Sequence, residues 1–270
     1  MRRQGQFLAA GLAGAALVVG VVAAAGPFSP DPATRRVGST TGPSAPALPV
    51  IVRECWVPAD SGNISLSAEE AKQLTTLAAT TTNPGRREGR VRAAVEGVLE
   101  VTPEQTAAVT ASLLGDRPAH RLTCSHARLA VQPESMGRSG LTPRAQRLRA
   151  AWNRVFGPLV AGGFARGGVS SGHVDSSAHY EGRAVDVFFR PLGDAEQRHR
   201  GRVFSQWLVA HAQDYNILSV IFADQIWTSW AASAGWREYV HPSGDTDNPV
   251  LRHLDHVHVA VESGRPWRPR

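Results

Sequence analysis

Histidine and aspartate side chains are concentrated in two short segments of the second half of the chain. The segment SAHYEGRAVD contains His179 and Asp186, and the segment DHVH contains His256 and His258. Residues two apart on a β-strand share one face, so His256 and His258 would point to the same side. A catalytic zinc ion takes three protein ligands and keeps a fourth position open for water. The ordered combination therefore predicts a three-ligand metal site, although each histidine taken singly is more typical of a surface or core residue.

Two small residues in the first segment support this arrangement. Gly182 permits a sharp turn between His179 and Asp186. Ala184 would lie on the same strand face as Asp186 and leave space beside a metal ion.

The elements that must hold these side chains lie in residues 141–270. Thr142-Pro143 begins an amphipathic helix, RAQRLRAAWNRVF, that Gly157 ends. A glycine-rich loop, a strand RAVDVFF and a helix over about 194–214 follow. The short strands LSVIFA and QIWTSW and a closing strand HVHVAV complete the region. Helices followed by a run of strands predict an α+β fold, with a small, mostly antiparallel sheet flanked by helices.

A small helical region is predicted over residues 51–140. Ser67 and Glu70 form a capping-box signature, and Thr102 and Gln105 form another with proline at the first helical position. The stretch RVRAAVEGVLEV between them is a third helical candidate.

The first 50 residues are typical of an export signal followed by a linker. Residues 1–25 contain two arginines and then an apolar run, which fits either a cleaved signal peptide or an uncleaved membrane anchor. Both place the rest of the chain outside the cytoplasm, secreted or anchored. Residues 26–50 are rich in Pro, Ser and Gly and form a linker. In an oxidising compartment, Cys55 and Cys124 are expected to form a disulfide.

Composition excludes several classes of protein. A hydrophobic fraction of 42% and a charged fraction of 19% are typical of a globular chain, and not of a collagen, a coiled coil or a disordered protein. The net charge of +6 favours anionic partners such as wall polymers. No nucleic-acid-binding motif accompanies that charge, so nucleic acid is not an expected partner.

The pattern Ser-x-His-x-x-Gly-x-Ala-x-Asp, followed by Asp-x-x-His and His-x-His, resembles the zinc D-alanyl-D-alanine carboxypeptidase and dipeptidase superfamily, whose fold Hedgehog-type domains share. The stretches GLTPRAQRLRAAWNRVFG, GGFARGG, IFADQIW and HLDHVHVAV are most similar to a peptidase-like C-terminal domain of exported actinobacterial proteins. The resemblance covers roughly residues 140–262. It implies that the zinc ligands are His179, Asp186 and His258.

The same resemblance implies roles for three further residues. Asp255 matches the general base of related peptidases. His256 matches a histidine that orients water or stabilises the tetrahedral intermediate. Arg166, in GGFARGG, is the nearest counterpart of an arginine that holds the substrate, although its loop departs from the usual spacing. On a regular strand Asp255 and His258 would face opposite ways, so Asp255 is expected in the turn just before the strand.

The function expected from these residues is an exported zinc peptidase that cleaves peptide stems of bacterial peptidoglycan. The alternative is a catalytically inactive wall-binding module that retains the peptidase fold. Three tryptophans could line a cleft near the metal, but their irregular spacing favours the core: Trp227, Trp230 and Trp236. Four further histidines are predicted to be surface residues: His173, His199, His241 and His253.

Overall fold

The computed structural model describes residues 54–115, 118–125 and 130–264. The helices are α1 (Ala68–Thr80), α2 (Pro84–Val98), α3 (Pro103–Leu113), α4 (Pro143–Phe156), α5 (Ala195–Ala210) and α6 (Ala212–Tyr215). The strands are β1 (Glu54–Ala59), β2 (Gly62–Ser67), β3 (Thr123–Ser125), β4 (Ala161–Gly162), β5 (Ala184–Phe188), β6 (Ile217–Phe222), β7 (Gln225–Thr228), β8 (Arg237–Glu238) and β9 (His256–Val261). These residues all belong to one compact unit.

Side-chain caps begin the helices where the sequence predicts them. The Ser67 hydroxyl accepts a hydrogen bond from the Glu70 backbone, and the Glu70 carboxylate accepts one from the Ser67 backbone. Thr102 and Gln105 form the second predicted capping box at the start of α3. Thr142 caps α4, whose first residue is a proline. Each cap satisfies backbone N–H groups that have no partner inside the helix.

The strands of the described residues form two antiparallel sheets. The larger has six strands in the order β4-β5-β9-β6-β7-β8, and the smaller has the order β2-β1-β3. Every strand pair is antiparallel, which confirms the predicted α+β class with antiparallel sheets flanked by helices. Strand β9 lies between β5 and β6, near the middle of the larger sheet.

An aromatic core joins the larger sheet to the helices. Phe204 of α5 is fully buried and makes edge contacts with Trp152 of α4 and with Phe156 at its end. Phe189, which follows β5, also contacts the Phe204 ring. Because α5 and α4 cover one face of this sheet, the side chains on the opposite face of β5 and β9 remain available for a site.

The region 51–140 differs from the purely helical expectation. Helices α1, α2 and α3 form as predicted, but β1 and β2 precede them as an antiparallel hairpin. Val57 and Ile64 are buried opposite each other across this pair, while their neighbours are more exposed. The period-2 pattern that marks a strand was therefore present in the sequence.

The predicted disulfide is confirmed. Cys55 of β1 and Cys124 of β3 are directly opposite in the antiparallel register and are covalently bonded. The bond ties the end of the helical region back to its first strand.

The predicted signal segment 1–25 and linker 26–50 lie outside the described residues. Among the helices described in 54–264, none has the length and apolar character needed to cross a membrane.

Candidate metal centre

Strands β5 and β9 bring the two sequence motifs together. Asp186 and His258 are register partners in this antiparallel pair, and Phe188 lies opposite His256. Since residues two apart share a face, His256 and His258 lie on the face of β9 that also carries Asp186 from β5. Two strands far apart in sequence thus place a carboxylate beside two imidazoles.

His179 approaches this face from the loop before β5. Its side chain is buried, and its Nδ1 lies 2.8 Å from the carbonyl oxygen of Gly163. A carbonyl oxygen only accepts hydrogen bonds, so Nδ1 carries the proton and the lone pair of Nε2 faces away from Gly163. This hydrogen bond fixes both the tautomer and the orientation of the ring.

Three side-chain atoms meet at one point. His179 Nε2 lies 3.1 Å from His258 Nδ1 and 3.3 Å from Asp186 Oδ1, and the last two atoms are 3.1 Å apart. We call His179, Asp186 and His258 the triad. In a tetrahedral zinc site with bonds of 2.0–2.2 Å, neighbouring ligand atoms are about 3.3–3.6 Å apart. The triad atoms are therefore within a few tenths of an ångström of the spacing of ligands around one small cation.

The charge state of the triad suits a cation. Burial alone would raise the pKa of Asp186, but the adjacent His179 and His258 side chains lower it well below its usual range. Burial lowers the pKa of His258, which outweighs the opposing effect of Asp186. An ionised carboxylate and a neutral imidazole are the forms that bind metal.

Two further histidines lie against the triad. The ring of His173 stacks on His179 with centroids 3.9 Å apart, and His253 contacts His256 with centroids 4.7 Å apart. Burial, followed by the nearby His258 and His256, lowers the pKa of His253 to about 3. The prediction of a surface residue is wrong for His253, which is 8% exposed, whereas His173 is half-buried, as are His199 and His241.

His173 belongs to a group that could hold a metal ion. One possible ligand atom from each of His173, His179 and Asp186 lies within 4.8 Å of the other two. The loop that carries His173 is fastened by Tyr180, whose hydroxyl donates to the His173 carbonyl and accepts from its backbone N–H.

Asp255 lies in a bend immediately before β9, where the sequence placed it. Its Oδ1 is 2.8 Å from Nδ1 of His256, and its Oδ2 accepts a hydrogen bond from Nε of Arg190 at 2.7 Å. Burial would raise the pKa of Asp255, and the hydrogen bonds from His256 and Arg190 lower it below its usual range. Asp255 therefore contacts the triad only through His256.

The structure does not bring the predicted arginine to the site. Arg166 is exposed in a turn after β4 and is not among the residues that line the cavity over the triad. That cavity, of about 450 Å³, is lined instead by Arg190. Arg190 follows β5 by two residues, and this short offset from Asp186 was the signal in the sequence that could have identified it.

The three tryptophans considered for a cleft near the metal do not line the cavity over the triad. Trp227 is fully buried in the core, Trp236 packs against the core and donates its indole N–H to the Leu122 carbonyl, and Trp230 is exposed. The core interpretation holds for Trp227 and Trp236. Two other histidines keep partial exposure, as predicted: His199 and His241.

A known family model matches part of the chain. Residues 137–250 match the family model described as VldE, C-terminal domain. The matched segment contains His179, Asp186 and Arg190, and it ends before Asp255 and the β9 histidines. The chain matches no curated protein and no solved structure.

Proposed function

We propose that the chain is an exported zinc-dependent hydrolase that cleaves peptide stems of peptidoglycan. The spacing of the triad carries the proposal, because three ligand atoms separated by 3.1–3.3 Å are close to the edge length of a tetrahedral site, about 3.3–3.6 Å. Two imidazole nitrogens and one carboxylate oxygen are donor types that zinc accepts. The hydrogen bond from His179 to Gly163 is the kind of outer contact that orients a metal-binding histidine.

His258 suits the third ligand position better than His173 does. The rings of His173 and His179 are nearly parallel, with an interplanar angle of 13°. The lone pair of an imidazole lies in its ring plane, so two parallel rings direct their nitrogens along separate planes. The ring of His258 is inclined at 66° to His179, which lets both lone pairs converge on one point.

The residues around the triad supply the other parts of a hydrolytic site. A bound zinc ion would polarise a carbonyl group and lower the pKa of a water molecule. The cavity over the triad gives a substrate access to it. His256 lines this cavity and could accept a proton, and the buried Asp255 is hydrogen-bonded to it.

The cavity suits a peptide with small apolar groups. Val174 and Val250 line it from two different loops, and both are exposed. Phe188 and Leu251 add apolar surface between them. The net charge of +6 would favour contact with anionic wall polymers, and the Cys55–Cys124 disulfide suits an oxidising compartment.

Purified muropeptides incubated with the zinc-loaded chain test this function. We expect one peptide bond to be cleaved, seen by mass spectrometry as a product pair that together contain one added water. The Asp186→Ala variant removes the triad carboxylate and should give no products. Absence of products from every muropeptide, at full zinc occupancy, would rule out the hydrolase.

A wall-binding module without activity is the competing function. It predicts that the chain sediments with purified peptidoglycan and leaves its stems intact. Binding together with cleavage that depends on Asp186 would reject this alternative.

A further inference from the structure

Arg190, Asp255 and His256 form a continuous chain of hydrogen bonds beside the triad. Nε and Nη2 of Arg190 lie 2.7 and 2.6 Å from Oδ2 of Asp255, and Oδ1 of Asp255 lies 2.8 Å from Nδ1 of His256. Both carboxylate oxygens of Asp255 are therefore already engaged, Oδ2 by Arg190 and Oδ1 by His256.

These hydrogen bonds fix the orientation of the His256 ring. A carboxylate accepts, so Nδ1 of His256 carries the proton and its Nε2 has the free lone pair. Nε2 lies 3.9 Å from Oδ1 of Asp186, which is too long for a direct hydrogen bond. Since His256 is 5% exposed and has Phe188 and His253 on its sides, the ring has little freedom to turn.

Arg190 lies at the outer, solvent-facing end of this series of hydrogen bonds. Its side chain is 53% exposed, whereas that of Asp255 is 8% exposed. The guanidinium lies over the Phe188 ring at 4.2 Å, and Phe188 also contacts His256. The Phe188 ring thus contacts both Arg190 and His256. The positive charge of Arg190 compensates the buried carboxylate of Asp255.

We propose that Arg190 is a positioning residue that acts through Asp255 to hold Nε2 of His256 towards the reacting water. His256, and not Asp255, is then the group that faces this water. This inference rests on the proposed hydrolase function. It replaces two roles that the resemblance implied, namely Asp255 as general base and Arg166 as the arginine of the site.

The proton balance of the step is simple. One proton of the water passes to Nε2 of His256 while the water oxygen bonds to the carbonyl carbon of the peptide. The same proton then passes to the leaving nitrogen as the carbon–nitrogen bond breaks. The products are one carboxylic acid and one amine, and no further reactant is needed.

Kinetics of variants of the full chain test this role. Arg190→Gln should lower kcat about 10- to 100-fold, the usual effect of removing an outer partner of a metal site, with KM changed less than about twofold. Arg190→Lys keeps the charge and should recover part of the loss. Arg154→Gln makes the same chemical change on the exposed side of α4 and should leave kcat unchanged. All variants should keep the zinc content of the wild type.

Several results would overturn the inference while leaving the hydrolase in place. A raised KM with unchanged kcat in Arg190→Gln would make Arg190 a substrate-binding residue, and loss of zinc would make it a support of the metal centre. An inactive Asp255→Asn beside an active His256→Ala would restore Asp255 as the acceptor. A wild-type chain without hydrolysis would instead reject the proposed function itself.

The orientation of the His256 ring can also be tested without a substrate. In the zinc-loaded chain, nitrogen NMR of the histidine rings should show His256 protonated on Nδ1, and this signal should shift in Arg190→Gln. A His256 ring protonated on Nε2 in the wild type would contradict the orientation on which the inference depends.

Discussion

The carbonyl oxygen of Gly163 lies 2.8 Å from Nδ1 of His179 and sets which nitrogen of that ring faces the triad. Gly163 has φ of +77°, a conformation that favours glycine. A side chain at this position would also collide with the His179 ring and approach Asp186 Oδ2 to 2.9 Å. The glycine is therefore part of the site, although it binds nothing itself.

Gly163→Ala should disrupt the metal centre. The added Cβ must displace His179 or the loop, and the hydrogen bond that orients the ring is then lost. We expect zinc affinity to fall at least about tenfold, measured by competition with a chelating dye. Gly167→Ala is the matched control, because its φ is +85° but no atom lies within 4 Å of the added Cβ. Equal affinities in the two variants would show that backbone strain, and not contact with His179, determines the effect.

Gln206 links helix α5 to the region 51–140. It is fully buried, donates to the Ser112 carbonyl at 2.9 Å and accepts from the Leu122 backbone N–H at 2.9 Å. Gln206→Leu leaves both backbone groups buried without these partners, so the free energy of unfolding should fall by about 2–4 kcal/mol in urea titrations. Gln197→Leu, at a half-buried position of the same helix, should change it by less than about 0.5 kcal/mol. A small loss for Gln206→Leu would mean that water replaces the lost contacts.

His211 should make stability depend on pH. Burial lowers the pKa of His211, which outweighs its hydrogen bond to the Trp207 carbonyl and the charge of Asp214. In the unfolded chain its pKa is about 6.5, so the unfolded state binds more protons once the pH falls below that value. The free energy of unfolding is therefore unaffected by His211 above about pH 6.5 and decreases as the pH falls below it.

Comparison with His211→Phe isolates this contribution. Phenylalanine can keep the ring contact with Trp207, which has centroids 4.2 Å apart in the wild type, but it cannot be protonated. Urea titrations between pH 7.5 and 5 should show a smaller decrease for the variant, since Lys72, Glu69 and the other histidines are common to both proteins. Parallel curves would mean that His211 has the same pKa in the folded and unfolded chains.

Local signals predicted much of the fold. The caps at Ser67, Thr102 and Thr142 and the strand around Asp186 depend on neighbouring residues, and the structure confirms these elements. The His-x-His spacing likewise placed His256 and His258 on one strand face. These predictions succeeded because the information lies within a few residues of the position concerned.

The rest of the site depends on contacts between distant segments. Gly163 meets His179 across 16 residues, and Arg190 meets Asp255 across 65. The short offset of Arg190 from Asp186 made it a candidate, but only its contact with Asp255 distinguishes it from Arg166. The burial of His253 also follows from the packing of its loop on β9, which the sequence alone did not indicate.

Zinc per chain, measured by mass spectrometry of the purified chain and its His258→Ala variant, tests the central claim most directly. The account predicts about one zinc ion in the wild type, little in His258→Ala, and about one in His241→Ala, whose ring lines the same cavity outside the triad. A wild-type chain that stays free of metal after incubation with zinc would contradict the metal centre. Full zinc retention by His258→Ala would contradict the triad and favour the group of His173, His179 and Asp186.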